Sequence, residues 1–336
     1  MGRILCRDGT GREGRMARVT IKSIARDLGI SHMTVSRALS NHPNVLRETR
    51  EAVRKRAEEL GYVRSSAAAA IRGDDTRIVG LLLPNITNEF YARYANALAL
   101  ECDRRALHLI IHLTDDDIRR ESEALRRLRE VQAGSAVMVP APGTDAPTLP
   151  RDIRAIQLIR RRADAEAVLV DDAAALGDAV AQLAGAGHRR IGYVGADPGL
   201  SSGRSRRAAF RAGLARAGLV ADPLLEATGP PTPDLGRSGA SRIFDAGATA
   251  LVCGGFEIST GALTIWLERS GSDRNTGFVG YGDVAAYPWI RDGVAAVSVP
   301  VEALAECTAA LLTDESTPNG PAHRFVAEFV VRGSAR

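Results

Sequence analysis

The chain has 336 residues, 45% hydrophobic and 25% charged, which excludes a disordered polymer and leaves room for more than one core. Four cysteines, at 6, 102, 253 and 307, are too scattered for a thiolate metal motif or a disulfide framework, and reduced cytoplasmic thiols are expected. The formal net charge of +4 is uneven: residues 1–77 hold 16 basic and 9 acidic side chains, whereas the remainder holds 28 and 31, so a polyanionic partner is expected at the front only.

Taken in chain order, the first pattern with structure in it spans residues 19–39. Thr20 can cap a helix whose apolar positions Ile21, Ile24, Ala25 and Leu28 follow helical spacing, and Gly29 supplies the left-handed residue that ends it. Ser31 is placed to cap a second helix that turns Val35, Ala38 and Leu39 inward and leaves His32, Met33, Thr34, Ser36 and Arg37 outside. Two short helices joined at a glycine make a helix-turn-helix, so double-stranded DNA is the first partner to consider. His32 and Met33, at the start of the second helix, are the candidates for base readout, and Arg37 for guanine or phosphate; Thr34 and Ser36 suit phosphate or capping contacts. Each also has the plain reading of an exposed helix residue.

A third helix is expected over about 47–60. The position before it is Leu46, which cannot cap, and Asn44 is the residue that could substitute. Thr20, Ser31 and Asn44 are counted with the DNA-facing set. Next comes Ser65 to Ile71, with four alanines at 67–70. A helix of two turns is marginal alone in water, so this one is conditional, or else a flexible alanine linker.

Beyond residue 76, β-rich apolar runs alternate with amphipathic stretches. Strands are expected at 78–83, 107–113, 136–139, 168–170, 191–194, 250–253, 278–281 and 294–299, and helices at 88–105, 118–131, 173–186, 204–217 and 261–269. Continuous apolar strands are buried on both faces, which points to an α/β body with parallel sheets. No apolar run reaches the roughly 20 residues that cross a bilayer, and no hydrophobic leader is visible; a cytoplasmic protein without a membrane partner is expected.

Catalysis finds no support. The six histidines are dispersed, and His108 with His112 falls in a strand pattern, where a spacing of four does not form a helical metal pair. No nucleophile elbow, zincin motif or phosphate loop is present, and Asp115, Asp116 and Asp117 look like a solvated helix start. No catalytic residue, metal ligand or cofactor is assigned.

The whole pattern resembles the lactose/galactose repressor family of bacterial transcriptional regulators. The resemblance rests on Ile-Lys-Ser-Ile-Ala at 21–25, Thr-Val-Ser-Arg at 34–37, Asn-His-Pro-Asn-Val at 41–45, Glu-Thr-Arg at 48–50 and Glu-Glu-Leu-Gly-Tyr at 58–62. It continues through Ile-Val-Gly-Leu-Leu-Leu-Pro at 78–84, Ala-Gly-His-Arg-Arg-Ile-Gly-Tyr-Val-Gly at 186–195 and Arg-Ala-Ala-Phe-Arg-Ala-Gly-Leu at 207–214. It implies an all-α helix-turn-helix headpiece at 18–64 and a hinge at 65–75. A two-lobed periplasmic-binding-protein-like body of type I would follow at 76–336, with residues 1–17 a basic arm or a mis-set start. The first lobe would take about 76–169 plus 298–320, and the second about 170–297 plus the C-terminal tail.

The resemblance also implies functional positions. Hinge helices of two subunits pair over the minor groove, with Ala68 at their interface and Ile71 wedged between base pairs. An effector, a sugar or sugar acid, would sit between the lobes at the carboxyl ends of the strands. Arg206 falls where family members bind effector oxygens, and its alternative is a surface arginine in the run 204, 206, 207, 211. Asn85, Asn88 and Phe90 lie on the first-lobe side, where Asn88 is either a helix cap or a ligand; Val170 and Asp171 stand at the first crossover, touching ligand or only forming the hinge. The family's Asn-Asp before the helix around Gly261 is Gly255-Phe256 here, and its Asp-Asp after residue 281 is Gly282-Asp283, so the first acidic ligand is missing. Asp283 binds a hydroxyl or caps a turn, and Phe256 and Trp289 stack on a sugar ring or are simply core. The expected protein is a homodimeric repressor whose operator affinity an effector changes. A corepressor-dependent regulator and a ligand-binding protein with a vestigial headpiece are the alternatives.

Overall fold

The computed structural model describes residues 19–62, 77–143, 152–162, 165–270, 276–314, 320 and 322–336, in two units that divide between Asp74 and Asp75. The expected arm at 1–17 and the hinge at 65–75, with Ala68 and Ile71, lie outside the described residues.

Three helices make the first unit. Thr20 opens α1 (Ile21–Leu28) with a reciprocal capping box: its hydroxyl accepts from the Ser23 N–H, and the Ser23 hydroxyl accepts from the Thr20 N–H at 2.8 Å. Gly29 closes α1 at φ 65°, a left-handed conformation that a side chain would strain. Ser31 accepts from the Thr34 N–H at 3.0 Å and opens α2 (His32–Leu39). Both caps lie where the sequence pattern puts them. Ile24 and Ala25 of α1, Val35 and Ala38 of α2, and Val53 and Ala57 of α3 (Arg47–Glu59) meet in one core. Position 46 makes no side-chain cap, and Asn44 does not replace it, a correction to the expectation: its side chain makes no hydrogen bond to the start of α3, and its backbone N–H donates to His42 Nδ1 at 3.3 Å. The loop is held from α3 instead. Arg50 Nη2 donates to the carbonyls of His42 and Val45, both at 3.1 Å, and Arg54 Nη2 to Asn41 Oδ1 at 2.6 Å.

The second unit alternates strand and helix. Its first lobe runs β1 (Ile78–Leu83), α4 (Glu89–Arg104), β2 (His108–Leu113), α5 (Ile118–Glu130), β3 (Ser135–Met138), β4 (Arg154–Leu158) and β5 (Ala167–Asp171). The chain then crosses into α6 (Ala173–Gly185), β6 (Ile191–Ala196), α7 (Ser201–Arg216), β7 (Glu226–Gly229), α8 (Pro233–Asp245), β8 (Ala250–Gly254), α9 (Phe256–Arg269), β9 (Gly277–Tyr281) and β10 (Ala295–Ser298). It returns through α10 (Val301–Thr313) and β11 (Ala322–Val326) before crossing a third time to β12 (Glu328–Val330). The sheets are ordered β11-β5-β4-β3-β1-β2 and β12-β10-β9-β8-β6-β7, all neighbours parallel except β12 against β10.

The inner strands are apolar runs buried along their length, as parallel sheets covered on both faces require. α10 is tied to the first lobe where the Tyr94 hydroxyl donates to Thr308 Oγ1 at 2.7 Å. Because β11 pairs with β5, the first lobe reaches Val326 rather than ending near 320. The sequence pattern missed β4, β7, β11, β12, α8 and α10. β4 is flanked by arginines that look like surface, but Arg154 pairs with Glu166 at 2.9 Å and Arg162 with Glu121 at 2.9 Å, the two carboxylates being buried. α8 begins with Pro233 and carries two glycines, a weak helix signal that packing against α9 overrides.

Candidate functional site

The first candidate surface is the outer face of α2. With Val35 and Ala38 committed to the core, helical geometry turns His32, Met33 and Arg37 to solvent, and Met33 is 53% exposed. Arg37 makes no ion pair or side-chain hydrogen bond among the described residues, whereas Arg56 of α3 is tied to Asp27 at 2.6 Å and Glu59 at 3.0 Å. Thr34 is half-buried, its hydroxyl 2.9 Å from that of Ser31, so these two residues set the helix start and offer little reach to base edges. Ser36 is also half-buried, and its carbonyl accepts from the Ser40 hydroxyl at 3.0 Å. Thr20 and Ser31 are exposed and serve as caps.

The second is a cavity between the two sheets at the carboxyl ends of their strands. Pro84 after β1, Arg160 after β4, Val170 on β5, Gly254 on β8 and Tyr281 on β9 all line it. At its centre Arg206 of α7 is buried: Nε donates to Asp172 Oδ2 at 2.6 Å, Nη1 donates to the Gly254 carbonyl at 3.1 Å, and the guanidinium lies 4.0 Å from the Tyr281 ring centre. The Tyr281 hydroxyl donates to the same Asp172 oxygen at 2.6 Å. Burial works against the guanidinium charge, but Tyr281 and Asp172 hold its pKa above the ordinary value, so it stays a cation. Arg207 and Arg211, by contrast, share Glu226, so of this basic run only Arg206 faces the cleft.

A second buried arginine lies across the cavity. Arg160 donates through both Nη atoms to Asp116, at 2.5 and 3.2 Å, and to the Pro140 carbonyl at 3.2 Å. Ile159, just before it, has φ 51°, costly for a β-branched residue by about 1–3 kcal/mol and found where the chain leaves β4 for the cleft. Aromatic rings close the wall: Phe256, the first residue of α9, lies 5.3 Å from Phe90 of the other lobe and 5.7 Å from Tyr281. The enclosed volume is about 60 Å³. That is under half of the roughly 150 Å³ that accepts a benzene ring, so a ring-sized molecule enters only as the lobes part or side chains move.

The structure places Asn88, Phe90, Val170, Arg206 and Phe256 together in this lining. Asn88 also caps α4, accepting from the Phe90 N–H at 3.0 Å, and Asn85 accepts from the Asn88 N–H at 2.9 Å without entering the lining. Three expectations are corrected. Asp283 neither lines the cavity nor caps a turn; it makes a two-pronged ion pair with Arg332 at 2.7 and 2.8 Å. Trp289 is 85% exposed in the short turn Tyr287–Trp289, away from the lining. Asp171 is exposed, and its neighbour Asp172 does the inward work.

Sequence reasoning missed Asp172, Tyr281, Arg160, Asp116 and Glu257. Asp115 and Asp116 both adopt φ near 54° (54° and 53°), which turns one carboxylate out to Arg120 and the next in to Arg160, while Asp117 caps α5. An acidic triplet just after a strand was the only signal. The aspartate absent after β9 also has a physical reason: a Cβ at Gly282 would lie 2.0 Å from the Phe256 ring, and its φ is 87°.

Among the described residues no group of His, Cys, Asp and Glu is arranged to hold a metal ion, and no helix is long and apolar enough to cross a membrane. The family model for bacterial regulatory proteins of the lacI family matches residues 20–65, and that for a periplasmic binding protein-like domain matches 180–335. The chain is 26% identical over 301 residues to the HTH-type transcriptional regulator GalR of Escherichia coli (strain K12), covering 87% of this chain and 88% of GalR. It is 28% identical over 330 residues to the regulator PtxS of Pseudomonas plecoglossicida, covering 94% and 96%. In fold it is similar to a crystal structure of the Lac repressor dimer bound to operator and the anti-inducer ONPF, with a TM-score of 0.79, 18% identity and 95% and 99% of the two chains covered. These relatives are regulators, not enzymes. A capped helix-turn-helix followed by two sheets, parallel but for β12, with three crossovers therefore reads as one architecture: the headpiece matches the lacI family of bacterial regulatory proteins, the body a periplasmic binding protein-like domain, and the chain is a helix-turn-helix transcriptional regulator.

Proposed function

We propose that this regulator is a repressor that binds a pseudo-palindromic operator as a homodimer, and that a small molecule in the interlobe cleft changes its affinity. The observation that carries the DNA half is the outer face of α2, where His32, Met33 and Arg37, the last without a side-chain partner among the described residues, stand exposed on a helix capped at its start, as α1 is at its own. His32 and Met33 read base edges in the major groove; Arg37 grips guanine or phosphate. Thr20, Ser31, Thr34 and Ser36 contribute phosphate contacts from hydroxyls and the helix start.

Support for the effector half comes from the cavity. It is bounded by both lobes at their strand ends, lined by Asn88, Phe90, Val170 and Phe256 and anchored by buried Arg206. A ligand that prefers one lobe spacing shifts the balance between two arrangements of the dimer, and hence operator affinity. For the dimer itself, the exposed edge strand β2 presents Ile111 and Leu113, 45% and 49% exposed, as apolar surface for a second copy. GalR and PtxS are named HTH-type transcriptional regulators, and a sucrose operon repressor of Klebsiella pneumoniae is 30% identical over 213 residues, covering 61% of this chain and 64% of that one. Release of the operator by a sugar or sugar-like compound is the proposed sense.

The test is a complex of the purified protein with selected genomic fragments, challenged with a panel of sugars, amino sugars and sugar acids. Dissociation by one compound, blunted in Arg206→Lys, is the expected result. A panel response that Arg206→Lys leaves unchanged would remove the cleft from the account.

A further inference from the structure

The charges that line the cleft are Asp116, Arg160, Arg206 and Glu257. Both arginines already have carboxylates of their own: Arg160 is held two-pronged by Asp116, and Arg206 is held by Asp172 at 2.6 Å with the Tyr281 hydroxyl on the same oxygen. Three carboxylates, Asp116, Asp172 and Glu257, thus stand against two guanidinium groups, so a ligand carboxylate or phosphate meets a net negative surrounding at the one open Nη2 of Arg206, or must displace a partner and leave it without its cation, a costly exchange. Glu257 is different. It stands in the first turn of α9, half-buried in the cavity wall, and its polar partners are amides: Asn85 Nδ2 donates to Oε2 at 3.5 Å from the opposite lobe, and the Asn88 side chain lies beside it. No cation pairs with it among the described residues. Next to it are the Phe256 and Phe90 rings, two faces that favour positive charge.

We infer that the cleft selects a small cationic molecule, one that sets an ammonium group against Glu257 and an apolar face against Phe256 and Phe90, and that it discriminates against acids. This rests on the reading of the cleft as the effector site. Ser202 and Nη2 of Arg206, which has no partner among the described residues, remain to bond neutral hydroxyls, so an amine-bearing polyol or ring alcohol fits the lining. The burial that pushes the Glu257 carboxyl up from its ordinary range is relieved by an incoming cation. Binding therefore strengthens as pH rises through the Glu257 titration, with release of a proton from the protein.

The experiment measures binding to the full chain by calorimetry and thermal shift, using matched sets that differ in one group. Glucosamine, glucose and glucuronate form one set; galactosamine, galactose and galacturonate a second; cyclohexylamine, cyclohexanol and cyclohexanecarboxylate a third. The amine of at least one set binds about tenfold or more tightly than its acid, and Glu257→Gln, which keeps the shape, weakens the amine by about tenfold while leaving the alcohol within about threefold. Unfolding midpoints of the variant report that it is folded. An acid that binds best and is lost in Arg206→Lys overturns the charge assignment and leaves the effector cleft standing. An amine whose binding ignores both Glu257→Gln and Phe256→Ala overturns the cleft reading itself. A chain that takes no member of any set overturns the proposal.

Discussion

Arg37 and Arg206 are the same side chain put to opposite uses. Arg37 stands on the outer face of a short helix with no partner among the described residues, and the headpiece around it is built entirely from local contacts within residues 19–62. Arg206 is buried, and every partner comes from far along the chain: Asp172 from the start of α6, Gly254 from the end of β8, Tyr281 from the end of β9. A side chain kept free for a partner outside the protein is recognisable by where a helix turns it. One enclosed by its own protein acquires meaning only from the fold.

That contrast can be broken experimentally, most severely at the buried end. Arg206→Ala leaves Asp172 buried with only the Tyr281 hydroxyl, and unfolding by urea should show a loss of about 3–5 kcal/mol. Hydrogen exchange of α1–α3 amides should be unmoved by it. Replacing the pair together, Arg206→Met with Asp172→Leu, should restore much of that stability, because the charge left alone is what costs. On the headpiece, Met33→Ala should flatten base preference by about 1 kcal/mol at its position while the salt dependence of binding stays as it was.

Smaller effects sharpen the same distinction. Burial raises the Glu257 carboxyl, so the folded state holds its proton more tightly than the unfolded chain does. The sign follows: body stability falls as pH rises from the ordinary carboxylate range through the raised value, and Glu257→Gln removes that part of the slope in a pH series of unfolding midpoints. Leu46 is 77% exposed and gives α3 no cap, so Leu46→Ser should stabilise the headpiece by about 0.5–1 kcal/mol, seen as slower exchange in the first turn of α3.

The headpiece was legible almost residue by residue because its signals are chemical and local. Thr20, Gly29 and Ser31 each end or begin a helix by hydrogen bonding or backbone conformation that a short window of sequence contains. Asn44 misled because only the path of the chain shows that Leu46 takes the N-cap position and that the Asn44 side chain makes no hydrogen bond to the first turn of α3. In the body, strands with a continuous apolar run were legible, the exposed edge strand β2 included, whereas the edge strands β7, β11 and β12 and the inner strand β4, short and interrupted by polar or charged residues, were not. Arg206 was placed by resemblance alone, and the residues that define its chemistry were hidden for two reasons. Asp172 sits beside an exposed aspartate that reads the same, and Asp116 sits in an acidic triplet whose inward member is chosen by a left-handed turn. Asp283 and Trp289 failed because a matching position is not a matching direction. An arginine from the C-terminal segment claims the first, and a short turn exposes the second.

The most direct test of the account is a footprint of selected genomic fragments with the wild-type chain and with Arg37→Ala, at one moderate salt concentration and with equal unfolding midpoints for the two proteins. The account predicts a protected palindrome that the variant binds about tenfold to a hundredfold more weakly. Equal protection by Arg37→Ala, or no fragment selected by the wild-type chain, would contradict it.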